Sequence, residues 1–145
     1  MSTPNHNVES LFCSELGDIV HARGTAQYDE KRQVWNAAID RHPAVIILCS
    51  SAEQVQKAVT IAFKEDMAVS VRGGGHSIAG SAVADGAVMI DLSGMQNVEV
   101  DAISRIARVQ GGATWAHVDA AAQQHGLAAA GGVVSETGVG GLTLG

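Results

Sequence analysis

The sequence predicts an α+β domain built from two small α/β units, on three observations. An apolar run of strand length, AVIILCS at 44–50, is followed by an amphipathic helix and a second short strand at 68–73, the order of a βαβ unit with parallel strands. The segments NVEVD and RIARVQ alternate apolar and polar residues around a short turn, as in a hairpin. Glycine, at 17 of 145 residues and mostly after residue 70, predicts tight loops in the second half.

The first half of the chain opens with a frayed tail at 1–8 and a short helical period in VESLFCSEL. GDIVHARG has the composition of a short strand or turn, and DEKRQVWNAAID is polar and irregular, with Trp35 as its expected anchor. Pro43 fixes the start of the strand at 44–50, whose unbroken apolar character predicts burial on both faces.

The helix after that strand, within SSAEQVQKAVTIAFKEDM, has two candidate capping boxes, Ser50 with Glu53 or Ser51 with Gln54. Its apolar residues recur at helical spacing and predict a buried face. That face consists of Val55, Val59, Ala62 and Phe63.

In the second half, AVMIDLS predicts a strand before the hairpin, and TWAHVDAAAQQHG predicts a helix after it. Thr114 is its N-cap and Gly126 its stop signal. One face of this helix carries Trp115, Val118 and Ala122. The last segment, 127–145, has no helical period and is saturated with small residues.

Charge and composition exclude several functions. The net charge is −6 with no Lys/Arg cluster, which argues against a nucleic-acid partner. No apolar run reaches membrane-spanning length, and we expect no membrane partner. Cys13 and Cys49 are far apart, and Cys49 lies in an apolar run as a buried thiol, so we expect a reduced, cytoplasmic protein. His117 and His125 stand eight apart without further ligands, so we expect no metal site.

The most informative stretch is VRGGGHSIAG, a strand end followed by three glycines and His76. Successive glycines let backbone N–H groups converge on an anion such as phosphate. The dinucleotide fingerprint and the Walker pattern are both absent, so a phosphate would be held by loops and not at a helix N-terminus. A tight turn that needs positive φ explains the glycines equally well, and a lone histidine is more often structural than a ligand.

Several motifs in order carry a family resemblance. WNAAIDRHPAVIILC, VRGGGHSIAG, MIDLSGM, VQGGATWAHVD and HGLAAAGGVVSETGVGGLTLG together resemble the PCMH-type FAD-binding domain of the vanillyl-alcohol oxidase superfamily. The similar branch is that of bacterial FAD-linked oxidases related to 6-hydroxynicotine oxidase and berberine bridge enzyme. The resemblance runs from about residue 15 to residue 145.

The resemblance implies that FAD lies between two subdomains, at 15–75 and at 76–145, the second one incomplete, after a tail or short helix at 1–14. It places His76 where such enzymes bond covalently to the flavin 8α-methyl group. Val134 stands where doubly linked members carry a cysteine, so we expect no second covalent link. Gly131 and Gly132 would shape the second loop. The implied FAD contacts are Arg72, Gly73, Gly74, Gly75, His76, Ser77, Gly80, Thr137, Gly138, Gly141 and Gly145.

The function implied is the FAD-binding portion of an oxidase, which passes hydride from a C–OH or C–N substrate to FAD and then electrons to dioxygen. Members of the family continue past GLTLG with a substrate domain, so we expect an N-terminal piece that is inactive alone, and no catalytic residue can be named. Open sheet edges predict a homo-oligomer. The alternative is a non-catalytic module that keeps the fold and binds a nucleotide or a partner chain.

Overall fold

The computed structural model describes the backbone of residues 5–145 and the side chains of residues 8–145. Within that range, none of the helices combines the length and apolar character that crossing a membrane requires. The elements in chain order are helix α1 (Asn5–Leu16), strand β1 (Val20–Ala22), helix α2 (Ala26–Lys31), strand β2 (Val45–Leu48), helix α3 (Ala52–Lys64), strands β3 (Val69–Arg72), β4 (Val88–Asp91), β5 (Val98–Asp101) and β6 (Ile106–Val109), and helices α4 (Trp115–Gln123) and α5 (Val139–Leu144).

Strands β1 to β4 form one sheet in the order β1-β2-β4-β3. The predicted βαβ unit is confirmed, because β2 and β3 both run parallel to β4, which lies between them, and α3 connects them. Strand β1 pairs antiparallel with β2. Strand β4 lies beyond residue 75, where we expect the first subdomain to end, yet it is an interior strand of this sheet. The division at 75–76 therefore stays a prediction.

The central strands β2 and β4 are buried on both faces, as the apolar run at 44–50 predicts for β2. Alternate side chains of β2 and β4 point to opposite faces. Ile47 and Ile90 belong to a cluster on the α1 and α3 side, with Phe12 from α1. Ile46 and Met89 belong to a smaller cluster on the other side. Both central strands are therefore covered from two sides, which fixes the positions of the loops at their ends.

Helix α3 confirms one capping alternative and corrects the predicted face. The Ser51 hydroxyl accepts a hydrogen bond from Gln54 N–H at 3.3 Å, so Ser51 is the N-cap. Val59 and Phe63, predicted as buried, are 44% and 85% exposed. Ala62 is buried as predicted and Val55 packs partly buried against the core, but the other buried residues of the helix are Ala58 and Ile61. Small alanines allow close approach of helix to sheet, so the buried stripe is rotated around the helix relative to the predicted one.

Three segments are more helical than predicted. Helix α1 includes residues 5–8, which we expected in the tail; the rest of that tail lies outside the described residues. Helix α2 occupies part of the segment predicted as irregular, because Thr25 caps it and the buried Tyr28 hydroxyl donates to Pro43 O at 2.7 Å. Helix α5 lies in the glycine-rich end, where packing outweighs propensity: a Cβ at Gly140 would lie 3.2 Å from Gly111 O.

The second half follows its predicted order. Strands β5 and β6 form the antiparallel hairpin, and α4 begins after its N-cap Thr114. Thr114 N–H donates to His117 Nδ1 at 3.0 Å, so a histidine serves in the cap. The predicted face of α4 is buried, and Gly126 at φ +65° follows the helix as its stop.

The two glycine-rich stretches meet backbone to backbone. The first glycine loop, residues 73–80, connects β3 toward β4, and the second glycine loop, residues 131–138, precedes α5. A Cβ added at Gly74 would lie 2.4 Å from Gly138 N, and one at Gly138 would lie 2.4 Å from Gly74 N. The second loop is held on the start of α4, since Trp115 N–H donates to Thr137 O at 3.1 Å. The crossing thus joins the sheet to the second half.

The cysteines give a direct test of the core. Cys13 is exposed, whereas Cys49 is buried, and burial together with nearby Asp91 raises the pKa of the Cys49 thiol to about 11. At pH 8 roughly one Cys49 thiol in a thousand is then ionised. We expect iodoacetamide to modify Cys13 in the native protein and Cys49 only after unfolding in urea, as read by mass spectrometry. Equal modification of both thiols in the native protein would contradict this core.

The crossing of the loops is tested by a matched pair of glycine substitutions. Gly74→Ala places a methyl group against the Gly138 backbone, and we expect a loss of roughly 2–3 kcal/mol in the free energy of unfolding. Gly141→Ala meets no atom within 4 Å and lies in α5, where alanine is favoured by up to about 1 kcal/mol. Urea denaturation of both variants separates them, and equal stabilities would argue against the close approach.

Candidate functional site

A cleft of about 570 Å³ lies where the two glycine loops and helix α5 meet. Its volume is in the range of small-molecule sites. The sheet supplies Val71 at the end of β3, and the rest of the wall comes from loops and from α5. The lining residues are Val71, Gly73, Gly74, Gly75, His76, Ser77, Ile78, Ala79, Ser81, Ala82, Thr137, Gly138, Gly141, Leu142 and Gly145.

The structure brings together all but two of the eleven FAD contacts that the family resemblance implies. Those lining the cleft come from both loops and α5 although they are distant in the sequence. Arg72 and Gly80 do not line it. The predicted residues in the lining are Gly73, Gly74, Gly75, His76, Ser77, Thr137, Gly138, Gly141 and Gly145.

Arg72 supports the first glycine loop from below. Its Nη1 donates to Lys31 O at 2.6 Å and lies 3.7 Å from Oδ2 of Asp91, a carboxylate with no exposed surface. Gly75, at φ +73°, lies directly over this guanidinium, since a Cβ there would be 3.0 Å from Arg72 Nε. A buried ion pair is costly to break, so Arg72 holds the loop in place. Its predicted role as a direct FAD contact stays a prediction.

Gly80 closes the first glycine loop. It adopts φ +74°, a conformation that favours glycine, and a Cβ there would lie 2.8 Å from Ile39 Cγ2. Its N–H donates to Ser77 O at 3.1 Å, and Arg41 Nη1 donates to Gly80 O at 2.9 Å. Gly80 therefore turns the chain back toward β4. Like Arg72, it acts on the shape of the loop in this structure.

His76 stands in the cleft wall with one face covered. The indole of Trp35 stacks on the imidazole, with ring centroids 5.6 Å apart and planes inclined by 20°. Trp35, the expected anchor of its segment, is 65% exposed and contacts the first glycine loop instead of the buried core. Its indole ring stacks on His76, a residue of the cleft wall. Sequence reasoning missed this pair because the two residues are distant in the chain. The only signal was the presence of a tryptophan, Trp35, in an otherwise polar segment.

Gly131 and Gly132 seat the second loop on α4. A Cβ at Gly131 would lie 2.1 Å from the indole carbon Cζ3 of Trp115, and one at Gly132 would lie 2.5 Å from Cδ1. These glycines leave room for a buried tryptophan whose own backbone N–H binds the same loop. The second glycine loop can therefore lie flat against α4 and reach the first loop.

The chemistry of the lining suits an anionic, extended ligand. Among residues 8–145, the cleft lining contains no acidic side chain, and its polar side chains are His76, Ser77, Ser81 and Thr137. Gly141 leaves open space where a side chain would begin. Within the same range, no three His, Cys, Asp or Glu side chains are grouped to hold a metal ion. Backbone, hydroxyl and imidazole groups are what this site offers.

Comparison with known proteins agrees with this geometry. Residues 43–145 match the FAD binding domain family. The FAD-linked oxidoreductase hasG of Aspergillus fumigatus is 36% identical over 141 residues, which is 97% of this chain and 30% of that protein. The (R)-6-hydroxynicotine oxidase of Paenarthrobacter nicotinovorans is 31% identical over 88% of this chain and 28% of its own length. The chain thus spans about 30% of the length of such relatives.

Solved structures show the same fold. Crystalline 6-hydroxy-D-nicotine oxidase from Arthrobacter nicotinovorans superposes with a TM-score of 0.79 at 31% identity, over 83% of this chain and 26% of that one. The BBE-like 1 protein of Physcomitrella patens gives a TM-score of 0.86 over 99% of this chain and 31% of that chain, at 23% identity, which speaks for the fold alone.

These matches confirm the α+β, PCMH-type architecture and the resemblance on which it was predicted. The same family membership accounts for the two glycine loops, the cleft between them and the order of the sequence motifs. The chain belongs to the FAD binding domain family of the FAD-linked oxidoreductases.

Proposed function

We propose that the cleft binds FAD, with the pyrophosphate against the two glycine loops and His76 bonded to the flavin. The observation that carries the proposal is the convergence of nine predicted contact residues on one cleft without an acidic side chain. A phosphate-bearing ligand gains from backbone amides that approach closely and loses from nearby carboxylates. The site therefore fits the cofactor on its own chemistry as well as by family.

Different groups of the chain would contact different parts of the cofactor. Gly73, Gly74 and Gly138 expose backbone to the cleft, and the Ser77 and Thr137 hydroxyls provide further hydrogen-bonding groups. Arg72 keeps the first loop in shape from beneath. Helix α5 closes one side with Leu142, an apolar surface on which a ring system can lie.

When bound, FAD supplies a two-electron acceptor for hydride from a C–OH or C–N substrate, with dioxygen as the final acceptor. A covalent link would join a ring nitrogen of His76 to the flavin 8α-methyl carbon, and the imidazole proton and one methyl hydrogen would be lost. Dioxygen would accept these two hydrogens with their two electrons as hydrogen peroxide. A histidyl link keeps the cofactor from dissociating. Residues that handle the substrate are not assigned on this chain.

The first test concerns His76. The purified chain is incubated with FAD in air, precipitated in acid, and the flavin is measured in pellet and supernatant. For the parent chain we expect flavin in the pellet; for His76→Ala we expect flavin in the supernatant, with weaker binding retained, because the glycine loops are intact. His125→Ala, an exposed histidine outside the cleft, is the matched control and should behave as the parent.

Three results of this test count against the proposal. Flavin in the pellet with His76→Ala would overturn the assignment of His76. Flavin of the parent chain in the supernatant would contradict the covalent link and leave FAD binding in place. A parent chain that takes up no flavin at all would favour the alternative, a non-catalytic module with the same fold.

We further propose that copies of the chain associate through the open edge of the first sheet, and that the protein is cytoplasmic. Strand β3 is an edge strand whose Val69 and Val71 are 40% and 52% exposed, which supports self-association. Both cysteines are free, as is typical of reducing compartments.

Sedimentation velocity tests the association. We expect a weight-average mass that rises with concentration for the parent chain, and a lower mass for Val69→Lys, since a charge on an edge strand blocks edge-to-edge pairing. A parent chain that stays monomeric at every concentration would refute the association.

A further inference from the structure

We propose that Trp35 is a positioning residue that holds the His76 imidazole in one orientation for attachment of the flavin. This inference rests on the proposed function of His76. It concerns a residue outside the cleft lining, which acts on the cofactor only through the histidine it stacks on.

The stack is the contact that carries the proposal. The two rings are nearly parallel, at 20°, with centroids 5.6 Å apart, an offset arrangement that aromatic pairs favour. Among the residues that the structure describes, this is the one stacked pair of aromatic rings. Trp35 remains 65% exposed, so its indole is not placed there by a need for burial in the core. The surface on which it packs is His76.

Backbone and side-chain hydrogen bonds fix the indole relative to the loop. Trp35 N–H donates to Gly75 O at 3.0 Å, directly before His76. Asn36 Nδ2 donates to Ile78 O at 2.8 Å, two residues after it. The segment that bears the indole is therefore tied to the loop on both sides of the histidine.

Four neighbours of His76 in the chain also line the cleft, and none of them carries a charged or aromatic side chain. They are Gly75, Ser77, Ile78 and Ala79. A histidine side chain turns about two bonds, and a C–N bond to one carbon requires one ring nitrogen to point at it. Stacking on one face of the ring restricts the rotamers of the side chain, which raises the effective concentration of the imidazole at the reacting carbon.

The first experiment reads the stack in the absence of FAD. Ring-proton resonances of His76 are identified in ¹H–¹³C NMR spectra by their loss in His76→Ala. We expect Trp35→Leu to move them downfield, because the shielding of the indole face is lost, and Trp35→Phe to leave most of the shielding. Phe63→Leu, which removes an exposed aromatic ring from α3, is the control and should leave them in place.

The second experiment measures the rate of covalent FAD incorporation by acid precipitation over time. We expect Trp35→Leu to slow attachment at least about tenfold and Trp35→Phe to restore most of the rate. Reversible FAD affinity is compared between His76→Ala and the double variant His76→Ala, Trp35→Leu. We expect the two affinities to agree within about twofold, since Trp35 acts through the histidine alone.

The outcomes separate this inference from the proposed function. Attachment in Trp35→Leu as fast as in Trp35→Phe would overturn the positioning role. A loss of reversible affinity in the double variant equal to the loss of attachment rate would also overturn it, since Trp35 would then hold the loop or the cofactor. If the parent chain never attaches FAD, the covalent proposal fails, and the NMR experiment decides the stack: an unchanged His76 signal in Trp35→Leu refutes it.

Discussion

The close approach of Gly74 and Gly138 is the constraint on which the cleft depends. Neither position has room for a Cβ, because each would meet the backbone nitrogen of the other at 2.4 Å. Side chains at this crossing would separate the loops and open the wall between them. The sheet anchors one loop through Arg72 and the buried carboxylate of Asp91, while α4 anchors the other through Trp115. The cleft is thus the meeting point of two independently supported segments.

That arrangement gives the glycines two distinct roles that a count of glycines does not separate. Gly74 and Gly138 are required by the approach of backbone to backbone, whereas Gly75 and Gly80 are required by their positive φ. Gly141 meets neither condition, and its lack of a side chain leaves space in the cleft itself. The two explanations of the glycines in VRGGGHSIAG are therefore compatible. The same loop contains a tight turn with positive φ and a backbone surface that faces the cleft.

Much of the fold could be predicted where local signals agree. The strand at 44–50, the Ser51 cap and the helix that follows all point the same way, and the structure has them as β2 and α3. Helix α5 could not be predicted, because its glycines have low helix propensity, and the packing of Gly140 close to Gly111 has no signal in the sequence. Phe63 was predicted to be buried but is exposed. The rotation of α3 about its own axis depends on how its small alanines fit against the sheet, which the helical period alone does not determine.

The site was predictable to the extent that its chemistry is carried by contiguous motifs. Both glycine stretches and His76 could be identified from their own residue types and from the resemblance to a family. Trp35 could not, because nothing near it in the sequence indicates that its ring lies on an imidazole. Arg72 was identified but its side chain turns beneath the loop, a direction that only the position of Lys31 and Asp91 explains.

The position of β4 in the middle of the first sheet also bears on the order of folding. Every strand of that sheet is complete by residue 91, so the first glycine loop acquires its shape from contacts within the earlier part of the chain. The second loop must then close a long loop to reach it, which carries an entropic cost that local contacts do not. During synthesis from the ribosome, one wall of the cleft can be formed before the other has been made.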